Sequence, residues 1–392
     1  MFIKHFFLLL SLAFCLHAFA ADTIRLQRAS NNTVYVADAS KLIKPGSVVQ
    51  LSGDYLYYKV FNVQGTIDSP IVFINKGLVR IGGFTAYTFQ VQGQHFIING
   101  SGDPAYSYGI LLNYDTSVHG SSFGFCPNNS SDFEVHHIEC MNAGTGVLQN
   151  PTYGEAMNNV FYHHLYIHDL SNPNSSPPGR AEAFYLGSTK DTVPYHAAYN
   201  FHNCRIEDCR MENLTGDGIQ VGHGDFILRR DTVHNFAMAH IPQQDNGIQI
   251  GQGTSAIIDS VVVDSGTGIG MQAFGTDSLI VTNCIFRNVS AQASLYEDVI
   301  YINGKGPVPL NMRFENNVII SCSGRYGINN ATPVANTNGS VFINNFIGGT
   351  YTKSYSVNKT KDQWITPIAN KKRDKLLIKP VLMAINLCCT QL

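Results

Sequence analysis

The chain has 392 residues, 44% of them hydrophobic and 14% charged, with 26 Lys and Arg set against 28 Asp and Glu for a formal net charge of −2. That balance supplies no basic face and excludes nucleic acid as a partner. With 35 glycines and few charges, the composition points away from helical bundles and toward one elongated, turn-rich β protein.

Lys4 precedes an apolar run from Phe6 to Leu16, and Ala18-Phe19-Ala20 follows it. Residues 1–20 therefore read as a secretory signal peptide cleaved after Ala20, which predicts a secreted protein, extracellular or periplasmic. Cys15 reads as filler within that peptide, because bulky Phe14 is unsuited to the small-residue position before a lipidated cysteine. No later stretch offers the roughly 18 consecutive apolar residues of a transmembrane segment. Residues 21–98 are expected to form an N-terminal cap and entry coils. Thr33-Val34-Tyr35-Val36, Gly46 to Leu51 and Pro70 to Ile74 are their strands, and Pro45-Gly46-Ser47 makes a turn.

Residues 99–349 carry an internal repeat. The segments IINGSG, VHHIEC, YHHLYI, HNCRIE, RDTVHN, IDSVVV, TNCIFR, ENNVII and INNFIG align on one polar column. Its members are Asn99, His136, His163, Asn203, Asp231, Asp259, Asn283, Asn316 and Asn344, separated by 24 to 40 residues. All but the last are followed by a strand of the Gly-plus-aliphatic kind: YGILLN, TGVLQN, EAFYLG, DGIQVG, NGIQIG, TGIGMQ, DVIYIN and YGINNA. Such a period builds a solenoid in which each coil buries its aliphatics against the next, at an interstrand spacing of about 4.8 Å. By strand alternation Ile219, Val221, Ile248 and Ile250 face the core while Gln220 and Gln249 face solvent. The polar column reads as a bend, where Asn tolerates unusual backbone angles and stacks its amide on the coils above and below. Cys204 and Cys284 follow an Asn in the repeat and read as small residues packed inside. After Gly349 the pattern stops. Residues 350–392 are a tail, basic from Lys371 to Lys379 and holding Cys388-Cys389, that is expected to cap the last coil.

The ladder and the Gly-Ile strands resemble the pectate-lyase-like superfamily of right-handed, single-stranded parallel β-helices, an all-β solenoid, over roughly residues 99–345. The resemblance implies a carbohydrate-active protein, with a polysaccharide lyase acting on an acidic, uronic-acid polysaccharide slightly ahead of two alternatives. These are a glycoside hydrolase of the same fold and a non-catalytic glycan-binding β-helix, and in each case the chain is expected to act as a monomer. Polygalacturonases of this fold carry Asn-Thr-Asp, paired Asp and His-Gly motifs, of which Asp217-Gly218 and His223-Gly224 are partial echoes.

In stacked coils a site is assembled from equivalent positions on successive strands. The column before the Gly-Ile strands reads Tyr108, Thr145, Glu182, Asp217, Asn246, Thr267, Asp298 and Tyr326. Arg180, Glu182, Asp217 and His223 are the catalytic candidates. Two carboxylates on neighbouring coils, about 5 Å apart, can divide acid and base roles. Glu182, Asp217 and Asn246 together could equally hold Ca²⁺, which favours several oxygen ligands. Equally, a carboxylate at a strand entrance is often only a turn former. The second candidate is the outward face of the strands, where Tyr185, Gln220, Gln249, Gln272 and Tyr301, with Asn246 and Lys190 nearby, offer the aromatic faces and planar amides that bind sugars. For neutralising a uronate carboxylate the candidates are Arg180, Lys190, Arg229, Arg230 and Lys305, with Lys190 or His223 better suited as base. The His136-His137 and His163-His164 pairs could ligate Zn²⁺ or Cu²⁺, but their place in the polar column favours a structural ladder.

Overall fold

The computed structural model describes residues 22–82, 86–114, 123–150, 155–176, 178–187, 200–242, 244–291, 298–304, 309–356 and 362–365. The expected signal peptide, most of the C-terminal tail, Lys190 and Lys305 lie outside the described residues. Among those described, 31 strands join into one continuous system of parallel pairs. Each strand pairs with one a full coil away, as in Phe133 to Val160, Cys204 to Phe226 and Ile206 to Leu228. The product is a parallel β-helix whose coil has three sides. The first sheet includes Ser131–His136, Ala156–His163, Asn200–Glu207 and Gly224–Arg229. The second includes Ile138–Met141, Tyr166–Leu170, Arg210–Leu214 and Thr232–His234, and the third Thr145–Gln149, Glu182–Leu186, Ile219–Val221, Asn246–Ile250, Ile269–Phe274 and Asp298–Asn303. The entry coils are continuous with the repeat: Val48–Tyr55 pairs with Ile71–Ile81, which pairs with Tyr87–Asn99. Among the described residues no helix is long and apolar enough to cross a membrane.

The core follows from strand alternation. On the first sheet Ile98, Val135, Tyr162, Ile206, Leu228, Ile258, Val281, Phe314 and Phe342 form one buried row up the stack. Burying an apolar side chain of this size contributes about 1.5–3 kcal/mol, so the stack is held by side chains that meet only once the coils are superposed. Cys204 and Cys284 are free, fully buried members of this interior, and burial pushes the Cys284 thiol up to about 12.

The polar column divides into distinct positions. The bend between the first and second sheets is made by His137, His164, Asp208, Arg230, Ser260, Asn283, Asn316 and Asn344, all with φ between 51° and 59°. Only Asn283, Asn316 and Asn344 of the expected ladder sit there. Asn99, His136, His163 and Asp259 lie one residue earlier, in the strand. Asp231 lies one residue later, fully buried, where its Oδ1 accepts the Cys209 N–H at 2.9 Å. Asn203 belongs to another stack, donating to Asn159 at 3.0 Å, which donates to Asp132 at 2.6 Å. A buried amide ladder does exist, one residue on from Asn316 and Asn344. Asn317 Oδ1 accepts the Cys284 N–H at 2.9 Å, and its Nδ2 donates to Asn345 Oδ1 at 3.0 Å.

Candidate functional site

The third sheet gathers the predicted site residues because its register is regular. Leu148 pairs with Tyr185, Tyr185 with Gln220, Gln220 with Gln249, Gln249 with Gln272, Gln272 with Tyr301 and Tyr301 with Asn329. After Leu148, six consecutive coils thus place one row of amides and aromatics opposite the core-facing Ile219, Val221, Ile248 and Ile250. The rungs touch: Gln249 Nε2 donates to Gln272 Oε1 at 3.3 Å. The row is less open than alternation alone predicts, since Gln220 is 6% exposed, Gln249 5%, Gln272 7% and Tyr301 8%. Side chains stacked at coil spacing shield one another and leave only a narrow polar strip accessible.

A column of glycines packs the coils closely and runs beside that row. Gly146, Gly218, Gly247 and Gly270 stand beside it on successive strands, with Ala183 in the same column. A Cβ on Gly247 would come within 2.7 Å of the Gly270 carbonyl oxygen and 2.6 Å of Val263 Cγ1, so no larger residue fits without displacing the next coil.

The carboxylates occupy the strand entrances. Thr145, Glu182, Asp217 and Asn246 are in register, as the sequence column has them, and Asp298 and Tyr326 continue it. The slot opposite Asn246 is filled by Ile269 rather than Thr267, because the preceding bend is two residues longer than the column assumes. Tyr108 is not in this column: it precedes a strand of the second sheet, and its ring lies 5.8 Å from Tyr166.

Glu182 is buried and both of its carboxyl oxygens are engaged. Its Oε2 accepts the Thr145 hydroxyl at 3.1 Å and its Oε1 accepts Gln244 Nε2 at 2.7 Å. Gln244 in turn accepts Arg180 Nε at 2.8 Å, linking the exposed guanidinium to the buried carboxyl. Burial raises the Glu182 pKa, opposed by the Thr145 bond, the Arg180 charge and the Gln244 bond. Asp217 is 0% exposed, and its Oδ1 accepts the Asn246 backbone N–H at 2.7 Å and side-chain Nδ2 at 3.1 Å. Burial, and then the charges of Glu182 and Asp245, push its carboxyl well above the usual range. Burial thus shifts both acids toward the protonated form, Asp217 further than Glu182.

This arrangement corrects two expectations. Glu182, Asp217 and Asn246 do not form a calcium cage: both Glu182 oxygens and Asp217 Oδ1 already accept hydrogen bonds, leaving only Asp217 Oδ2 and Asn246 Oδ1 without a hydrogen-bond partner. Two oxygens fall short of the six to eight that Ca²⁺ takes. His223 does not join the acids, because it follows the Ile219–Val221 strand while Asp217 precedes it. It is 1% exposed, at a bend of φ 57°, with its backbone N–H donated to Gln252 O at 2.8 Å. Arg229 and Arg230 also lie elsewhere, in an ion-pair ladder at the end of the first sheet: Arg230 Nη2 reaches Asp208 at 2.7 Å and Glu207 at 3.1 Å.

Two residues near the row, Gln244 and Arg325, carry no signal in the repeat. Gln244 sits in a loop that folds back over Glu182. Arg325 donates in a bidentate pair to buried Asp298, at 3.0 and 2.7 Å, and Asn329 Nδ2 reaches the same carboxylate at 2.8 Å. Arg180 and Arg325 therefore flank the amide row toward its two ends, each tied to a buried acid.

The paired histidines form a separate cluster on the first sheet. His136 and His163 stack with centroids 4.8 Å apart, and His137 and His164 stack at 5.0 Å. Burial and then the neighbouring His163 push His136 down to about 4. His136 and His163 stack within the strand, and His137 and His164 at the bend that follows it.

Residues 197–347 match the family model described as a right handed beta helix region. No curated protein matches the chain. Among solved structures, the A-module of a mannuronan C-5 epimerase from Azotobacter vinelandii aligns at 11% identity and TM-score 0.44, over 82% of this chain and 91% of that one. A lacto-N-biosidase from Eubacterium ramulus aligns at 14% identity and TM-score 0.39, over 86% of this chain and 68% of that one. A pectate lyase aligns at 10% identity and TM-score 0.39, over 88% and 79%.

Proposed function

We propose that this right-handed parallel β-helix is a secreted, carbohydrate-active protein that works as a monomer, binds an acidic polysaccharide along the outer row of its third sheet, and cleaves it by β-elimination. The observation that carries the reading is the unbroken register of Tyr185, Gln220, Gln249, Gln272, Tyr301 and Asn329 over six coils. A polysaccharide is itself a repeating ligand, and a strip of planar amides ended by phenol rings offers each sugar a stacking face and paired donors and acceptors.

In this reading Arg180 meets a uronate carboxylate. A guanidinium forms two parallel bonds to a carboxylate without losing its own charge, and so neutralises it; water then takes the proton of the adjacent carbon, the C–H electron pair becomes the new double bond, and the glycosidic C–O bond breaks with its oxygen leaving as a hydroxyl protonated from water. Glu182 acts through Gln244 as a positioning group, fixing the fork from below. Asp217 and Asn246 hold the entrance of the next strand against it.

The test is incubation of the purified chain with a panel of uronic-acid polysaccharides, following the ultraviolet absorbance of the unsaturated product. A rise that disappears in Arg180→Ala supports elimination at this site. The burial of Glu182 and Asp217 favours a second reading, a non-catalytic glycan-binding β-helix, which predicts binding without new double bonds or new reducing ends.

A further inference from the structure

We propose that the outer face of the first sheet holds a site for a divalent d-block cation of zinc-like preference, with Glu134, His136 and His163 as ligands. It lies on a different side of the coil from the amide row and stands independently of the polysaccharide reading.

Strand register makes the site. His136 and His163 are partners on adjacent coils, and Glu134 lies two residues before His136 on the same strand face. His163 Nε2 is 2.9 Å from Glu134 Oε1, and His136 Nε2 is 3.7 Å from the same oxygen. The three ligating atoms all lie within 4.8 Å of one another. Zinc takes imidazole nitrogen and carboxylate oxygen at about 2.0–2.2 Å, so a small rotation of one imidazole brings all three into reach. Two imidazoles and one carboxylate leave a coordination position open, and the Glu134 side chain, 37% exposed, faces solvent there. Glu134 also lines a cleft of about 430 Å³ with His95, Asp132 and Phe161, which gives an ion a way in.

The next ring out supplies what metal-bound histidines need. His136 Nδ1 lies 2.7 Å from His137 Nδ1, and His163 Nδ1 lies 2.7 Å from His164 Nδ1. One nitrogen of each contact must carry the proton. Without a cation, His163 Nε2–H donates to Glu134 Oε1 at 2.9 Å; a cation bound there takes the Nε2 lone pair and leaves the proton on Nδ1, where His164 Nδ1 accepts it, and His136 can take the same Nδ1–H form against His137. A ligating histidine whose other N–H is held by an acceptor is the arrangement that fixes its tautomer and raises its basicity. A stack serving only to bend the chain would need neither the carboxylate nor the second imidazole of each pair.

The experiment is calorimetric titration of the metal-stripped chain with Zn²⁺ alone, paired with Co²⁺ loading read by visible absorption. The expected result is one saturable Zn²⁺ per chain and the intense visible bands of four-coordinate cobalt. Glu134→Gln weakens binding by at least about tenfold, and His163→Asn weakens it further. Far-UV circular dichroism checks folding, and should His163→Asn misfold, Glu134→Gln decides alone because its side chain is partly exposed. No saturable binding by the parent chain, or unchanged affinity in a folded Glu134→Gln, overturns the proposal.

Discussion

Asn316 and Asn317 are adjacent and chemically identical, yet the structure gives them opposite weight. Asn317 is fully buried. Its Oδ1 accepts the Cys284 N–H at 2.9 Å, and its Nδ2 donates to Val281 O and Asn345 Oδ1, each at 3.0 Å. Asn317→Leu conserves volume but leaves three buried polar groups short of a partner, at about 1–3 kcal/mol for each group wholly unsatisfied. Val281 O and Asn345 Oδ1 retain other partners, so the expected loss is about 2–6 kcal/mol. Asn316 is exposed, at φ 56°, and supplies mainly its backbone conformation. Asn316→Gly keeps that conformation without strain and should stay within about 1 kcal/mol of the parent. Urea unfolding can be followed by far-UV circular dichroism and by fluorescence of Trp364, the chain's single tryptophan. Trp364 stacks on Phe342 at 4.8 Å, in the coil next to Asn317, and should report the local loss first because coils in a solenoid are coupled mainly to their neighbours. Equal midpoints for the two variants, or a more damaging Asn316→Gly, would refute the buried-ladder argument.

Other perturbations probe the third sheet. Gly247→Ala places a methyl 2.7 Å from the Gly270 carbonyl and should cost about 1–3 kcal/mol, read as a lower urea midpoint; an unchanged midpoint would show that the column has slack. Because Asp217 holds its proton more tightly folded than unfolded, its contribution is full below the unfolded pKa and declines as pH rises through the folded one. Asp217→Asn, which keeps the Oδ1 acceptor, should therefore match the parent near pH 4 and exceed it near pH 8 in thermal melts, whereas a constant difference would argue against a buried proton. Gln244→Ala should lower elimination through loss of the Arg180 support while leaving the fold intact; full activity would remove Glu182 and Gln244 from the positioning role.

The architecture was legible because two signals coincide, a coil-length period and Gly-Ile strands of fixed phase. The amide row was legible for the same reason: Gln220 and Gln249 each lie between core aliphatics, so their shared face follows from alternation. The polar column was harder, because Asn, Asp and His suit the bend, the strand end before it and the buried position after it. Asn316 and Asn317 differ in backbone angle and burial, which residue type alone does not encode. Bend length shifted Thr267 out of its slot in favour of Ile269. Gln244 was invisible because its partner Glu182 is 62 residues away and the loop bringing them together has no period. His223 looked close to Asp217 in sequence, but six residues of mostly extended chain hold them apart.

The most direct test of the central claim is calorimetric titration of acidic polysaccharides into the parent chain, a Gln249→Ala/Gln272→Ala variant and an Arg313→Ala variant. Arg313 is an exposed cation on the first sheet, paired with Glu315 at 2.6 Å, and controls for general charge attraction. The account predicts that the double variant loses at least about tenfold in affinity, or about 1.4 kcal/mol, while Arg313→Ala binds as the parent does. Failure of the parent to bind any of the polysaccharides, or equal weakening in both variants, would contradict it.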